Sequence, residues 1–280
     1  MAGIKPRIEL IDVGRQTLRT AVWQGGGTKR PLLFFNGIGA NLELVAPLGE
    51  MISHRSDVIV FDMPGIGGSP KPRMPYRPST IVKWSNQILD QLGYGDVDVM
   101  GISWGGGAAQ QFAISMPDRA RCLVLLATSA GMAMVPGNWS AISKMANPRR
   151  YIDPDYMLKN FQTLYGDNAD NTAVGHKDRI LAPTKTGYMY QLMAMAGWTS
   201  IHMLPFLRQP TLVMSGDRDN IVPLANARIL KAAIPRADLN IVKGGGHLFA
   251  VSRVHQVVPI IERFLDDHAD DHMAEAAYST

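Results

Sequence analysis

The sequence predicts an α/β protein built on a mostly parallel, eight-stranded sheet that is flanked by helices and carries one helical insertion. Short and nearly continuous apolar runs alternate with helical patterns from residue 31 onward, which is typical of strands buried on both faces. That alternation stops between residues 129 and 208, where prolines separate short helical patterns. We therefore expect an α/β core from residues 1–128 and 209–266, a helical lid from residues 129–208, and a flexible tail from residues 267–280.

The first two β-rich runs are predicted to form an antiparallel hairpin with Gly14 near its turn, and the later runs to form the parallel part of the sheet. The eight predicted strands cover residues 7–13, 17–23, 31–36, 57–62, 96–102, 121–127, 211–216 and 237–242. The predicted helices of the core cover residues 41–52, 79–92, 104–116, 223–234 and 252–267.

The fifth strand leads directly into a sharp turn around Ser103. The segment DVDVMGISWGG passes from a β-rich run through Gly101, Ser103 and Gly105 into a helical stretch. A G-x-S-x-G pattern between a strand and a helix is typical of a nucleophile elbow, in which a strained turn exposes the serine hydroxyl. The flanking glycines are expected because a side chain at either position would collide with the neighbouring strand or helix.

A serine hydroxyl needs a base to remove its proton, and a carboxylate usually orients that base. His247 is the predicted base, because three glycines before it form a turn that lets the imidazole reach over the sheet edge. Asp217 and Asp219 both follow the seventh strand. We expect Asp219 to be the carboxylate, since the turn after Gly216 brings it back toward the histidine loop, and Asp217 to cap that turn through backbone amides.

Two backbone N–H groups are expected to form an oxyanion hole. Trp104 follows the nucleophile at a helix N-terminus, and Ile38 lies in the glycine-rich loop after the third strand. That loop lacks the lysine of a phosphate-binding loop, which argues against nucleotide binding. Asp62 follows the fourth strand, and we expect it to brace the adjacent loop that is rich in glycine and proline.

The segment from residue 129 to residue 208 contains eight of the sixteen methionines, which makes it unusually rich in adaptable apolar side chains. This pattern fits either an ordinary small helical core or a mobile lid with an apolar inner face. The candidate pocket residues of the lid are Met134, Trp139, Met193, Trp198 and His202.

Charge and cysteine content exclude several classes of function. The net charge of +4 is not concentrated in any basic run, so we expect no nucleic-acid partner. The single cysteine, Cys122, lies in an apolar run and is expected in the core. No cluster of cysteine and histidine suggests a metal, and the proposed chemistry needs no cofactor. No signal peptide or transmembrane segment is recognised, so we expect a cytoplasmic protein.

Several segments together resemble a known family. These segments are FNGIGANLELV (35–45), FDMPGIGGS (61–69), GISWGGGAAQQFA (101–113), PRRY (148–151), GWTSIH (197–202), QPTLV (209–213) and GGHLF (245–249). With them the chain resembles the α/β-hydrolase superfamily and, more narrowly, the intracellular medium-chain-length polyhydroxyalkanoate depolymerases. The G-x-S-x-G pattern alone indicates only the superfamily, whereas GIGANLEL together with SWGG and GWTSIH is far more specific.

That resemblance implies a serine hydrolase that cleaves a hydrophobic polyester on storage granules and releases 3-hydroxyalkanoic acids or their oligomers. It also implies that Ser103, Asp219 and His247 form the catalytic triad. Two other functions stay open: a carboxylesterase or lipase for small soluble esters, and a granule-coating protein without activity. The complete set of triad residues argues against the last of these.

Overall fold

The computed structural model describes residues 4–146, 154–166 and 179–269, and its central feature is an eight-stranded sheet. The strand order across the sheet is β1-β2-β4-β3-β5-β6-β7-β8. The strands are β1 (Arg7–Val13), β2 (Gln16–Trp23), β3 (Leu32–Phe35), β4 (Val58–Phe61), β5 (Val97–Ile102), β6 (Ala120–Leu126), β7 (Thr211–Gly216) and β8 (Ala237–Val242).

The pairing directions match the predicted fold class. β1 and β2 form the expected antiparallel hairpin, with Gly14 at a positive φ of 70° in its turn. β2 also pairs antiparallel with β4, and every pair from β4 through β3 to β8 is parallel. Strands β3, β4, β5 and β7 are buried along their whole length, as their continuous apolar runs predict for a sheet covered on both faces.

Helices cover both faces of the sheet and divide the core into two layers. The helices are α1 (Leu42–Ile52), α2 (Pro78–Leu92), α3 (Trp104–Ser115), α4 (Trp139–Ala146), α5 (Pro154–Tyr165), α6 (Lys185–Met195), α7 (Leu224–Ala233), α8 (Phe249–Ser252) and α9 (Val254–Asp267). The apolar sides of α2, α3 and α7 pack on one face of the sheet, and those of α1, α8 and α9 pack on the other. The predicted last helix, residues 252–267, is observed as α9, and the short helix α8 ends just before it.

The chain between β6 and β7 contains α4, α5, α6 and a 3-10 turn at Leu204–Phe206. Its described part holds no strand, only an isolated bridge between Gly131 and Thr199. We call the described residues between 129 and 208 the cap. Residues 147–153 and 167–178 of the predicted lid, and residues 270–280 of the predicted tail, lie outside the described residues. No helix that the structure describes is both long and apolar enough to cross a membrane.

The parallel strands determine where the predicted site residues lie. β3, β5, β7 and β8 all run in the same direction, so the loops at their carboxyl ends meet along one edge of the sheet. Those four loops carry Ile38, Ser103, Asp219 and His247 in that order.

Candidate active site

Ser103 occupies the strained turn that the sequence predicts between β5 and α3. Its φ of 54° and ψ of −119° are unusual for a residue with a side chain, and its N–H donates a 2.9 Å hydrogen bond to the carbonyl of Leu126. A Cβ on Gly101 would lie 2.3 Å from the carbonyl oxygen of Gly105, and one on Gly105 would lie 2.2 Å from that of Phe35. Both glycines are therefore required by the close approach of the backbone.

Ser103, His247 and Asp219 form a continuous hydrogen-bonded chain. The Nε2 atom of His247 lies 3.0 Å from Ser103 Oγ, and its Nδ1 lies 2.8 Å from Asp219 Oδ2. His247 and Asp219 are buried, so little solvent competes for these hydrogen bonds. An imidazole held between a hydroxyl and a carboxylate in this way can accept a proton from the hydroxyl and be stabilised when it carries the charge.

The expected task of Asp217 is wrong in one respect. The amides of the turn are taken by Asp219 itself, whose Oδ1 accepts 2.8 Å hydrogen bonds from the N–H groups of Ile221 and Val222. Asp217 Oδ1 instead accepts a 2.6 Å hydrogen bond from Gly244 N–H in the histidine loop. The turn after β7 brings Asp219 back so that its own carboxylate binds the amides of that turn. Asp217 therefore lies beside the loop that carries His247.

The histidine loop is held in place despite its three consecutive glycines. Gly245 N–H donates to Val242, and its carbonyl accepts a 2.9 Å hydrogen bond from Arg218 N–H. His247 N–H donates to the carbonyl of Tyr165 on α5, at 2.5 Å. The Arg253 guanidinium donates to the carbonyls of Lys243 and Gly244, at 2.9 and 2.6 Å. The backbone on both sides of the imidazole is therefore tied to its surroundings.

Two cavities meet at Ser103. The smaller one, of about 80 Å³, lies against the loop after β3, and we call it the loop-side cavity. The larger one, of about 320 Å³, lies against the cap, and we call it the cap-side cavity. Apolar side chains of the loop-side cavity are Ile38, Ala40, Leu44, Val45, Ile102, Ile180, Leu248 and Val251. Apolar side chains of the cap-side cavity are Met132, Met134, Met195, Trp198, Ile221 and Val222.

Comparison with known proteins shows the family of the chain. A family model described as the alpha/beta hydrolase fold matches residues 30–172 and 163–253. The chain belongs to the α/β-hydrolase family. A poly(3-hydroxyalkanoate) depolymerase of Ectopseudomonas oleovorans is 47% identical to this hydrolase over 258 residues, which are 91% of each chain. The family and this relative together make the chain an ester-bond hydrolase.

More distant relatives share the hydrolase fold. A 2-hydroxymuconate semialdehyde hydrolase of Pseudomonas putida is 29% identical over 229 residues, covering 74% of this chain and 76% of its own. Among solved structures, a thermophilic esterase from Thermogutta terrifontis superposes with a TM-score of 0.76 at 22% identity, covering 94% of this chain and 99% of its own. At that identity the structural likeness concerns the fold.

The predicted pocket residues of the hydrolase fall into two groups. Met134 and Trp198 line the cap-side cavity, and the Trp198 indole donates a 2.8 Å hydrogen bond to Gln111 Oε1. Trp139 is 80% exposed and Met193 50% exposed, and His202 is also exposed. Neither cavity at Ser103 is lined by these last three residues.

Met195 takes the place predicted for Met193. The two residues are two positions apart on α6, which corresponds to a rotation of about 200° around the helix axis. Met195 therefore faces the cap-side cavity while Met193 faces outward.

The expected oxyanion donors lie on segments that border the nucleophile. Ile38 lines the loop-side cavity together with Ser103, and Trp104 lines the cap-side cavity. Within the loop, Asn36 accepts from Gly37 N–H and donates to the Asn41 carbonyl, at 2.8 and 2.9 Å. The loop is thus preorganised by its own side chain before any substrate binds.

Asp62 braces the neighbouring loop of the hydrolase, as expected. Its oxygens accept hydrogen bonds from the N–H groups of Leu42 and Gly68 and from the guanidinium of Arg19, at 2.8, 2.9 and 3.1 Å. Burial raises the pKa of Asp62 to about 6, although Arg19 and the two amides favour its charged form.

Two residues near the site were missed at the level of sequence. Thr128 Oγ1 donates a 2.7 Å hydrogen bond to the carbonyl of Ser103 and so supports the elbow from the end of β6. Gln191 reaches the site from α6 and contacts Gly39 and Trp104. Neither belongs to a recognisable motif, because each acts through a contact distant in sequence.

Proposed function

We propose that this hydrolase cleaves medium-chain-length polyhydroxyalkanoate and releases 3-hydroxyalkanoic acids or their oligomers. The observation that supports this substrate is the 47% identity, over 91% of both chains, to a relative named as a poly(3-hydroxyalkanoate) depolymerase. The chemistry rests on the hydrogen-bonded arrangement of Ser103, His247 and Asp219.

The proposed reaction begins with attack of Ser103 Oγ on the carbonyl carbon of an ester while His247 Nε2 takes the hydroxyl proton. The negative charge that develops on the carbonyl oxygen is stabilised by the N–H groups of Ile38 and Trp104. Asp219 keeps Nδ1 of the imidazole protonated and stabilises the imidazolium. His247 then gives its proton to the ester oxygen of the leaving alcohol as the bond between that oxygen and the carbonyl carbon breaks, and the acyl chain stays on Ser103.

Water completes the cycle by the same route. His247 removes a proton from a water molecule, which attacks the acyl-enzyme carbonyl, and the second tetrahedral intermediate is held by the same N–H groups. Return of the proton to Ser103 Oγ releases the carboxylic acid. The overall balance is one ester bond and one water consumed, with one acid and one alcohol end formed.

An extended apolar substrate fits the surroundings of Ser103. An internal ester bond of a polymer has chain on both sides, and apolar cavities lie on two sides of the serine. The cap also carries most of the large apolar side chains that are exposed among the described residues. Exposed large apolar side chains of the cap are Met132, Val135, Trp139, Leu181, Met189, Leu192, Met193, Met203 and Phe206, compared with Ile8, Leu10, Met74 and Ile241 elsewhere among the described residues.

Such an exposed apolar surface is typical of a site that contacts another apolar body. In the proposed function that body is the surface of a polyester granule inside the cell. The cap would then adsorb on the polymer and hold the two cavities close to it.

The decisive experiment compares wild type with Ser103→Ala on emulsified medium-chain polyester and on short p-nitrophenyl esters. Loss of the nucleophile should lower kcat on both by about 10⁶-fold. Ser115→Ala is the matched control, because Ser115 is an exposed serine at the other end of the same helix. It should keep the wild-type rates.

The competing functions give different results. Wild-type turnover of short p-nitrophenyl esters without release of acid from the polyester would identify a small-ester esterase. Absence of both activities, with no covalent labelling of Ser103 by a fluorophosphonate, would indicate a protein without catalysis. Ester hydrolysis retained by Ser103→Ala would exclude Ser103 as the nucleophile.

A further inference from the structure

Gln191 joins the cap to both segments that carry the proposed oxyanion donors. It is fully buried on the inner side of α6. Its side-chain Oε1 accepts a 2.8 Å hydrogen bond from Gly39 N–H, in the loop after β3. Its backbone carbonyl accepts a 3.0 Å hydrogen bond from the indole Nε1 of Trp104, the first residue of α3. One residue thus bridges two elements that are far apart in sequence.

The contact with Gly39 constrains the neighbouring donor. Gly39 N belongs to the peptide unit that follows Ile38, so only the two backbone torsions of Ile38 separate it from the Ile38 N–H. Gly39 itself has a φ of 68°, a conformation that leaves the tip of the loop dependent on its hydrogen bonds. Fixing Gly39 N–H from α6 therefore restricts the direction of the Ile38 N–H.

The contact with Trp104 restrains the residue that carries the second proposed donor. An indole held at its Nε1 cannot rotate freely about its side-chain torsions, so the Trp104 side chain is fixed at the start of α3. The cap helix therefore touches the loop on one side of Ser103 and the helix start on the other.

The orientation of the Gln191 side chain is set by its role as a hydrogen-bond acceptor for Gly39 N–H. Its Nε2 is buried and has no hydrogen-bond partner among the residues that the structure describes. Reversing the amide would place an NH₂ group against Gly39 N–H, so the orientation is fixed by that contact. An apolar side chain of similar size would remove this unpaired donor but would leave the buried Gly39 N–H without its acceptor. The contact that the glutamine makes here is therefore the acceptor for Gly39 N–H.

We propose that Gln191 is a positioning residue of the oxyanion hole, which holds the Ile38 and Trp104 donors in the geometry that the tetrahedral intermediate requires. The inference rests on the proposed function, because it needs Ser103 to attack a carbonyl carbon. Donors aimed at developing charge act on the transition state more than on the bound ester. Loss of Gln191 should therefore lower kcat rather than raise KM.

The test is Gln191→Met, which keeps the length of the side chain and removes the acceptor. On p-nitrophenyl octanoate we expect kcat to fall by about 10- to 100-fold, as for small misplacements of catalytic groups, with KM nearly unchanged. A trifluoromethyl ketone with the same alkyl chain adds to Ser103 and forms an oxyanion in the same place. Its affinity should fall by the same factor as kcat/KM.

Gln110→Met is the matched control. Gln110 is also a fully buried glutamine that ties the core to the cap, since its Oε1 accepts a 2.6 Å hydrogen bond from Ser200 Oγ. None of its described hydrogen bonds reaches the loop after β3 or Trp104. The control should lose thermal stability as Gln191→Met does and keep both kcat and the affinity for the ketone.

A second variant covers the case in which Gln191→Met does not fold. Trp104→Phe removes the indole N–H that binds the Gln191 carbonyl together with the five-membered ring that carries it, and it should lower kcat and ketone affinity together by several-fold. The inference is overturned if the folded variants keep wild-type kcat, if the loss lies in KM alone, or if Gln110→Met loses as much kcat. If the wild-type protein does not hydrolyse p-nitrophenyl octanoate, the proposed function itself is overturned. If it hydrolyses this ester but not the polyester, the test of Gln191 can still be carried out.

Discussion

At the scale of single residues, Asp219 uses its two carboxylate oxygens for different partners. Oδ2 accepts from the imidazole of His247, and Oδ1 accepts from the amides of Ile221 and Val222. The carboxylate is therefore fixed by the turn that it caps, and the imidazole is in turn fixed by the carboxylate. An asparagine cannot satisfy both sets of partners, because one of its two positions is a donor.

Asp219→Asn should lower kcat by about 10⁴-fold, as expected when the imidazole is held in the wrong tautomer, with little change in KM. The amide NH₂ must face either the imidazole or the two backbone N–H groups, and both are donors in the present arrangement. Steady-state kinetics on a p-nitrophenyl ester measure the effect, and circular dichroism checks that the fold is kept.

Asp217→Asn is the natural comparison. Its single described partner is Gly244 N–H, and an asparagine carbonyl can still accept that hydrogen bond. We expect kcat to stay within a few-fold of wild type. Equal losses in the two variants would mean that the histidine loop, rather than the Asp219–His247 contact, limits the reaction.

The sequence could predict which of the two aspartates turns back toward the histidine loop, because that follows from a local turn after a strand. It could not predict that Asp219 would also take the turn's amides or that Asp217 would bind Gly244. Those contacts depend on how closely two loops from neighbouring strands approach. A Cβ on Gly216 would lie 2.1 Å from the carbonyl oxygen of Gly245, which shows how tightly the two loops pack.

At the scale of elements, α6 presents two different faces. Its inner face carries Gln191 and Ala194, both buried. Its outer face carries Met189, Leu192 and Met193, at positions i, i+3 and i+4, with exposed fractions of 53%, 46% and 50%. A soluble surface helix usually places polar side chains on this side. In the proposed function the outer face is in contact with polymer.

Substituting serine at Met189, Leu192 and Met193 together should weaken adsorption to polyester particles by about 10- to 100-fold. About half of each side chain is still exposed, so each can contribute roughly 1 kcal/mol when the polymer covers it. The measurement is depletion of the protein from solution by particles of known surface area. Hydrolysis of a short soluble ester serves as the reference for an intact site.

The edge strand β1 supplies a matched control for this prediction. Ile8 and Leu10 are also apolar and exposed, at 47% and 63%, but they lie at the end of the sheet order opposite β8 rather than on the cap. Serine at both positions should leave adsorption unchanged. If it weakens adsorption as much as the α6 variant, the effect is one of general surface hydrophobicity and not of the cap.

The sequence predicts the positions of the strands better than it predicts which side of α6 is buried. Central strands give continuous apolar runs because both faces of each strand are buried, and their positions could be predicted to within a residue or two. In α6, apolar residues occur on the outer as well as the inner side, so no single helical face stands out. For that reason Met193 was expected in the pocket, where Met195 lies instead.

At the scale of the whole molecule, the parallel sheet positions the loops of the site, and the cap contributes walls of the two cavities beside Ser103. The sheet brings four loops to one edge, and this could be predicted from the parallel direction of the strands. The two cavities beside Ser103 are different, because their walls combine the loop after β3, the end of β6 and the cap. Their sizes depend on side-chain packing between distant segments, which no sequence pattern describes.

The larger size of the cap-side cavity predicts how rate depends on acyl chain length. For p-nitrophenyl esters from C4 to C12, kcat/KM should rise about fourfold per methylene, which corresponds to about 0.8 kcal/mol of burial, until the chain fills the cavity. Met134→Trp narrows this cavity of about 320 Å³ and should shift the optimum to shorter chains. Ile114→Trp is the control, since it fills a cavity of similar size, about 310 Å³, at the far end of α3. If the optimum acyl chain length shifts equally in both variants, or in neither, the cap-side cavity does not determine the chain-length preference.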